Sequence, residues 1–107
     1  MRNNSAIITG STGGIGSAIA KNLAKMGYNI MLNGFAEEKF INALKEEISN
    51  NYKVKVDYHA ADLSKKEEIK DLALKAEKNL GNIEVIVNNA GIQFVEMVEN
   101  FPEEKWE

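Results

Sequence analysis

Thr9-Gly10-Ser11-Thr12-Gly13-Gly14-Ile15-Gly16 is the stretch whose residue types and spacing suggest chemistry by themselves. A short buried strand is expected just before it, over residues 5–8. Just after it, Ile15, Ile19, Leu23 and Met26 recur at helical spacing on one expected inner face. The glycines therefore occupy a tight strand-to-helix turn. A residue without a Cβ lets the backbone turn sharply there and approach a ligand closely. The helix that follows aims its free N–H groups and positive dipole end at the same place, which suits a phosphate. This is the pattern of a nucleotide pyrophosphate cradle. A turn kept for packing is the other reading. The spacing departs from G-x-G-x-x-G, and the second strand ends Leu32-Asn33-Gly34-Phe35 with no carboxylate.

The elements that would position this turn follow from periodicity. Gly27 ends the first helix. A second strand is expected over residues 28–32, then a helix over 37–50 with Phe40, Ile41, Leu44 and Ile48 inward, broken by Asn50-Asn51. Residues 53–59 alternate polar and apolar, as an edge strand does. Ser64 with Glu67 reads as a capping box. The third helix then carries Ile69, Leu72, Ala73, Ala76 and Leu80 inward and stops at Gly81. Residues 83–87 are almost wholly apolar, hence a central strand, closed by Asn88-Asn89-Ala90-Gly91. Residues 101–107 look like the first turn of one more helix. Strands alternating with helices make βαβ units. The expected fold is α/β, a Rossmann-type doubly wound parallel sheet of strand order 3-2-1-4. The loops leaving strands 1 and 4 would then meet at the switch point, where ligands bind.

Composition narrows the classes. The chain has 107 residues, thirteen basic and sixteen acidic, for a net charge of −3. No basic block offers a nucleic-acid or anionic-lipid footprint. No apolar run is long enough for a membrane span. The absence of cysteine excludes a disulfide framework and a thiolate metal site, and it suits a reducing cytoplasm. No metal site is expected.

Three separated stretches, Thr9-Gly10-x-x-x-Gly14-x-Gly16, Asp62-Leu63 and Asn88-Asn89-Ala90-Gly91, together resemble the short-chain dehydrogenases/reductases. The likeness covers the whole chain but corresponds to the N-terminal, cofactor-binding part of such enzymes. Residues 1–107 would form that domain, with the C-terminal catalytic part absent. By this resemblance Gly10, Thr12, Gly14, Ile15 and Gly16 line the cofactor's pyrophosphate side, and Phe35 belongs to the cofactor site. Asp62 bonds the adenine amino group beside the Leu63 backbone, and Asn88, Ala90 and Gly91 border the ribose and nicotinamide. Thr9 and Asn89 tie the two loops together. Gln93, with residues 101–106, points by resemblance to a short hydroxy acid, whose carboxylate Gln93 would hold. Asp62 keeps a second reading as the residue that begins the turn ahead of Ser64, and Gln93 a second reading as a solvated loop side chain.

The cofactor reading turns on charge near the adenosine ribose. A 2′-phosphate calls for Arg or Lys at the glycine turn or the end of strand 2. Neither residues 11–13 nor 33–36 supply one, so NAD is expected over NADP. Enzymes of the family resemble one another in using Ser, Tyr and Lys, the Lys ammonium stabilising the phenolate. Here Tyr28, Tyr52 and Tyr58 are followed four residues on by Leu32, Val56 and Asp62, so no Tyr-x-x-x-Lys pair exists. His59 reads as a surface or packing residue, Glu37, Glu38, Glu46 and Glu47 as solvated, Met31 and Met97 as gap-fillers or loop residues. No catalytic residue is assigned, and the chain alone is expected to be inactive. A chain ending here would also expose strand 4 as an apolar edge, which predicts self-association or a need for a C-terminal half. A non-catalytic nucleotide-binding or interaction module is the alternative.

Overall fold

The computed structural model describes residues 4–89 and 94–97. In chain order the elements are β1 (Asn4–Thr9), α1 (Gly14–Lys25), β2 (Asn29–Leu32), α2 (Glu38–Tyr52), β3 (Val56–Tyr58), α3 (Lys66–Leu80), β4 (Asn82–Asn88) and β5 (Phe94–Met97). They form one sheet of order β3-β2-β1-β4-β5. The first four strands are parallel, in the expected 3-2-1-4 order. The switch point lies between β1 and β4, where Thr9 pairs with Asn88.

Because strand side chains alternate between faces, each strand feeds two cores. Ala6, Ile8, Ile30, Leu32, Val85 and Val87 face α1 and α2, where they meet Ala20, Ala24, Leu44 and Ile48. Ile7 and Met31 face α3 and meet Leu72, Ala76 and Leu80, with Ile83 and Ile86 packed alongside. Met31 does fill the second core, and its unbranched chain suits the irregular gap between sheet and helix.

Several expectations are corrected. The buried stripe of α1 is Gly16, Ala20 and Ala24, with Ile19 and Leu23 half-buried beside it, while Ile15 and Met26 are exposed. Small residues face the sheet because the helix starts hard against the glycine turn, which leaves no depth there for a large side chain. Phe40 is exposed on α2, whose buried stripe is Ile41, Leu44 and Ile48. Asn50-Asn51 does not break α2. The helix runs on to Tyr52, whose ring packs on the core, and ends at Lys53 in the left-handed conformation (φ 58°). The few tenths of a kcal/mol by which Asn disfavours helix, about 0.7 at most, lose to that burial.

The Ser64–Glu67 capping box does not form. The cap position of α3 is Lys65, with no side-chain cap bond. Ser64 instead donates its hydroxyl (2.7 Å) and its N–H (3.0 Å) to the Asp62 carboxylate, a local turn that competes with capping. Nor is β4 left as an open edge. β5 pairs antiparallel with it, Val85 opposite Met97 and Asn88 opposite Phe94, so Met97 is a strand residue and the sheet is mixed. The expected helical turn at 101–107 lies outside the described residues.

Candidate functional site

The loops that follow β1, β2 and β3, and Asn89 after β4, gather at the carboxyl edge of the sheet. The β1 and β4 exits are locked together by short polar contacts. The Thr9 hydroxyl lies 3.3 Å from the Val87 carbonyl and 3.2 Å from Asn88 Oδ1, sharing its one proton between two acceptors. It accepts in turn from the Asn89 N–H at 2.9 Å, and Asn89 Nδ2 donates to the Gly10 carbonyl at 3.3 Å. Thr9 and Asn89 thus make the tie expected of them.

Gly16 is where that arrangement tolerates no side chain. A Cβ there would lie 2.8 Å from both Asn89 Nδ2 and the Ser11 Cα, and closer still to the Gly10 carbonyl oxygen. Gly16 therefore lets α1 start directly beneath the turn, and it is buried. Gly14 is the opposite case: φ is 51°, and nothing lies within 4 Å of a Cβ built on it. Gly13 and Gly14 are exposed and form the open side of the turn.

The start of α1 is electrostatically unfilled. Its cap residue, Gly13, supplies no side-chain acceptor, and the first turn carries no acidic residue. Of the first N–H groups of a helix, those without a side-chain or backbone acceptor take water or an anion. Two large apolar side chains are left in solvent, Ile15 on the first turn of α1 at 73% and Phe35 after β2 at 72% exposure. Thr12 lies against Gly34, filling the space a side chain there would need.

Asp62 follows β3. Its N–H donates to Glu68 Oε1 at 2.7 Å. The Ser64 hydroxyl first, then the Ser64 N–H, hold its carboxyl below the ordinary carboxylate value, so it is an anion near neutral pH. It does begin the turn ahead of Ser64, and the same anion can accept from an amino group. Leu63 packs its side chain on the α3-facing core.

Residue Asn33 was noted in the sequence only as the place where a carboxylate is missing. It is buried, and it bonds to the exits of both β1 and β3. A lone amide directly after a buried apolar strand, Ile30-Met31-Leu32, was the signal available for it. Tyr58 donates its hydroxyl to the Gly34 carbonyl, and burial pushes that phenol up, away from acid–base work near neutrality. Tyr28 and Tyr52 pack in the α1–α2 core. His59 is half-buried, and its N–H joins the sheet by donating to the Leu32 carbonyl. Among the described residues no cluster of His, Cys, Asp and Glu could hold a metal, and no helix is long and apolar enough to cross a membrane. Ala90, Gly91 and Gln93 lie outside the described residues.

The family model for short chain dehydrogenases matches residues 4–107. The chain belongs to this family. It is 46% identical over 102 residues to a D-beta-hydroxybutyrate dehydrogenase of Rhizobium meliloti (strain 1021), covering 95% of this chain and 40% of that protein. A second D-beta-hydroxybutyrate dehydrogenase, from Cupriavidus necator, is 44% identical over 108 residues, covering 100% of this chain and 41% of the relative. Among solved structures, the L-sorbose reductase of Gluconobacter frateurii, complexed with NADPH and L-sorbose, superimposes with a TM-score of 0.72 at 30% identity. That match covers 95% of this chain and 38% of the reductase. The chain thus spans about two fifths of the length of the relatives it matches. The family is one of oxidoreductases that use nicotinamide cofactors, and the glycine turn described above lies within the matched residues.

Proposed function

We propose that residues 1–107 are the NAD-binding domain of a D-3-hydroxybutyrate dehydrogenase. The observation that carries this reading is the locked pair of loops around an open, uncapped helix start. Thr9 and Asn89 hold the two exits, while Gly13 and Gly14 are exposed and leave the start of α1 without a side-chain cap. A pyrophosphate supplies the anion such a site takes. Bound there, the nicotinamide nucleotide supplies hydride acceptance from, or donation to, the substrate's C3 carbinol carbon.

The chain's own residues bind and orient. Gly10, Thr12, Gly14, Ile15 and Gly16 form the pyrophosphate side, Gly16 by letting the helix approach. Phe35 and Ile15 offer apolar surface that a bound nucleotide would cover. Asp62, held as an anion by Ser64, accepts from the adenine amino group beside the Leu63 backbone. Asn88, Ala90 and Gly91 border the nicotinamide ribose, and Gln93 donates to the substrate carboxylate. NAD is preferred to NADP because residues 33–36 bring no cation to a 2′-phosphate, and Glu37 and Glu38 follow directly. The substrate, a short hydroxy acid, and a cytoplasmic location are part of the same reading. Nucleic acid and membrane are not partners in it.

Hydride transfer also needs an acid–base Tyr-x-x-x-Lys pair, which these residues lack. In this reading the chain alone is inactive: hydride transfer depends on a C-terminal half that carries the pair, which a homo-oligomer of this chain would not supply. That same lack favours the second reading, a non-catalytic nucleotide-binding or interaction module. Two measurements separate the outcomes. Calorimetry should show NAD and NADH binding more tightly than NADP and NADPH. Adding the C-terminal part of a hydroxybutyrate dehydrogenase should restore hydroxybutyrate-dependent NADH formation. Binding without restored activity supports a nucleotide-binding module, and no binding of any of the four nucleotides contradicts the dehydrogenase reading and leaves only an interaction module.

A further inference from the structure

Two asparagines bracket β2, Asn29 at 7% and Asn33 at 2% exposure. A buried primary amide must find partners for its donors and its acceptor. Asn29 finds them at the amino edge of the sheet, donating to the Leu80 carbonyl (2.7 Å) and accepting from the Lys55 N–H (3.0 Å). Asn33 finds them at the carboxyl edge. Its Nδ2 donates to the carbonyls of His59 (3.0 Å) and Ala61 (3.2 Å), and its Oδ1 accepts from the Gly10 N–H (3.4 Å). Its backbone is bound as well: the N–H donates to Ser11 Oγ (2.9 Å), and the carbonyl accepts from the Ser11 N–H (2.7 Å).

One residue therefore spans two segments that otherwise belong to different strands. On one side is the glycine turn, through Gly10 and Ser11. On the other is the 59–61 segment, which runs directly into Asp62. We infer that Asn33 is a positioning residue of the nucleotide site, fixing the separation between the pyrophosphate turn and the Asp62–Leu63 edge. Its amide faces two carbonyl oxygens and one N–H, so it is turned inward and is not available to a ribose hydroxyl. The inference rests on the nucleotide reading of the site and extends it.

A fixed separation helps only a ligand that touches both segments, because binding at one end then places the other. ADP has both a pyrophosphate and an adenine, whereas adenosine and inorganic pyrophosphate each have one. In Asn33→Asp the side chain keeps its size and its acceptor for Gly10, but an ionised carboxylate cannot donate to the two carbonyls. The test titrates the full chain, below its melting temperature, with each of the three ligands. Asn29→Asp serves as a control on the same strand. The expected result is a roughly tenfold or greater loss of ADP affinity in Asn33→Asp, the scale of the two buried amide contacts it breaks. Adenosine and pyrophosphate should then change by less than about twofold, and Asn29→Asp should leave all three unchanged.

Parallel weakening of all three ligands, or an equal ADP loss in Asn29→Asp, would overturn the inference, since either means general loosening. Should Asn33→Asp not fold, Ser11→Ala makes the same test with a smaller ADP-selective loss, because it removes one of the links between turn and hub. An unaltered chain that binds no ADP would overturn the nucleotide reading and this inference together. ADP binding that both variants leave intact would overturn this inference alone.

Discussion

The two edges of the sheet use the same kinds of polar side chain to different ends. At the amino edge, Asn4 donates to Glu84 (2.9 Å), Ser5 lies over the Gly81 and Asn82 carbonyls (3.1 and 3.3 Å), and Asn29 joins α3 to the residues before β3. Each contact there closes one part of the chain on another. At the carboxyl edge, Thr9, Ser11, Asn33, Asn88 and Asn89 are bonded just as fully. Yet the frame they make surrounds Gly13, Gly14 and a helix start with no side-chain cap. The amino edge contributes stability alone. The carboxyl edge spends comparable bonding on holding a gap open, and the proposed nucleotide site rests on that difference.

Substitutions at the two edges should therefore separate stability from binding. The largest effect is expected from Gly16→Val, since the atoms it meets include backbone of Gly10 and Ser11 that cannot swing away. A loss of about 3 kcal/mol or more is expected in denaturant unfolding, with nucleotide binding lost as well. Next is Asn29→Ala at the amino edge, which strands the Leu80 carbonyl and the Lys55 N–H. It should cost about 1–3 kcal/mol by the same measurement and leave NADH affinity, by fluorescence titration, as it was. An equal loss of affinity would erase the distinction between the edges. Gly14→Val has open space but a positive φ, so about 1–2 kcal/mol of backbone strain is expected in thermal melting. Its effect on NADH binding should be far larger than its effect on stability.

The smallest effect belongs to β3, at the lateral edge of the sheet. Burial pushes the Asp57 carboxyl up, but the Asn79 amide, the Tyr58 N–H and the Lys75 and Lys45 ammonium groups together outweigh it and hold it below its ordinary value of 3.8. A depressed folded value means that this carboxylate stabilises the fold above that ordinary value and stops doing so as the pH falls through the lower, folded one. Urea midpoints of Asp57→Asn and the unaltered chain should differ at pH 7 and converge below pH 3.8. A constant difference across that range would show that the charge itself contributes nothing.

The strand–helix alternation and the 3-2-1-4 order were legible in the sequence from periodicity and crossover rules, whereas the Thr9–Asn89 tie was implied by the family resemblance alone. The inner face of α1 was not, because large apolar residues were read as inward. Close approach at Gly16 instead selects Ala20 and Ala24, and turns Ile15 out beside the site. The start of α3 was misread because Ser64 can serve either a cap or the Asp62 turn, and spacing alone does not say which bond wins. β5 escaped notice because four residues, Phe94-Val95-Glu96-Met97, carry too short a pattern to stand apart from a loop. Asn33 escaped for a different reason. The chemistry sought at that position was a charge for the ribose, whereas the amide there serves the backbone of two neighbouring loops.

The most direct test of the account is a fluorescence titration of NADH into the unaltered 107-residue chain, repeated with Gly14→Val at a temperature where both remain folded. Saturable binding to the first and its loss in the second is the expected result. No saturation in the unaltered chain, or the same affinity in both, would contradict a pyrophosphate gripped at the open glycine turn.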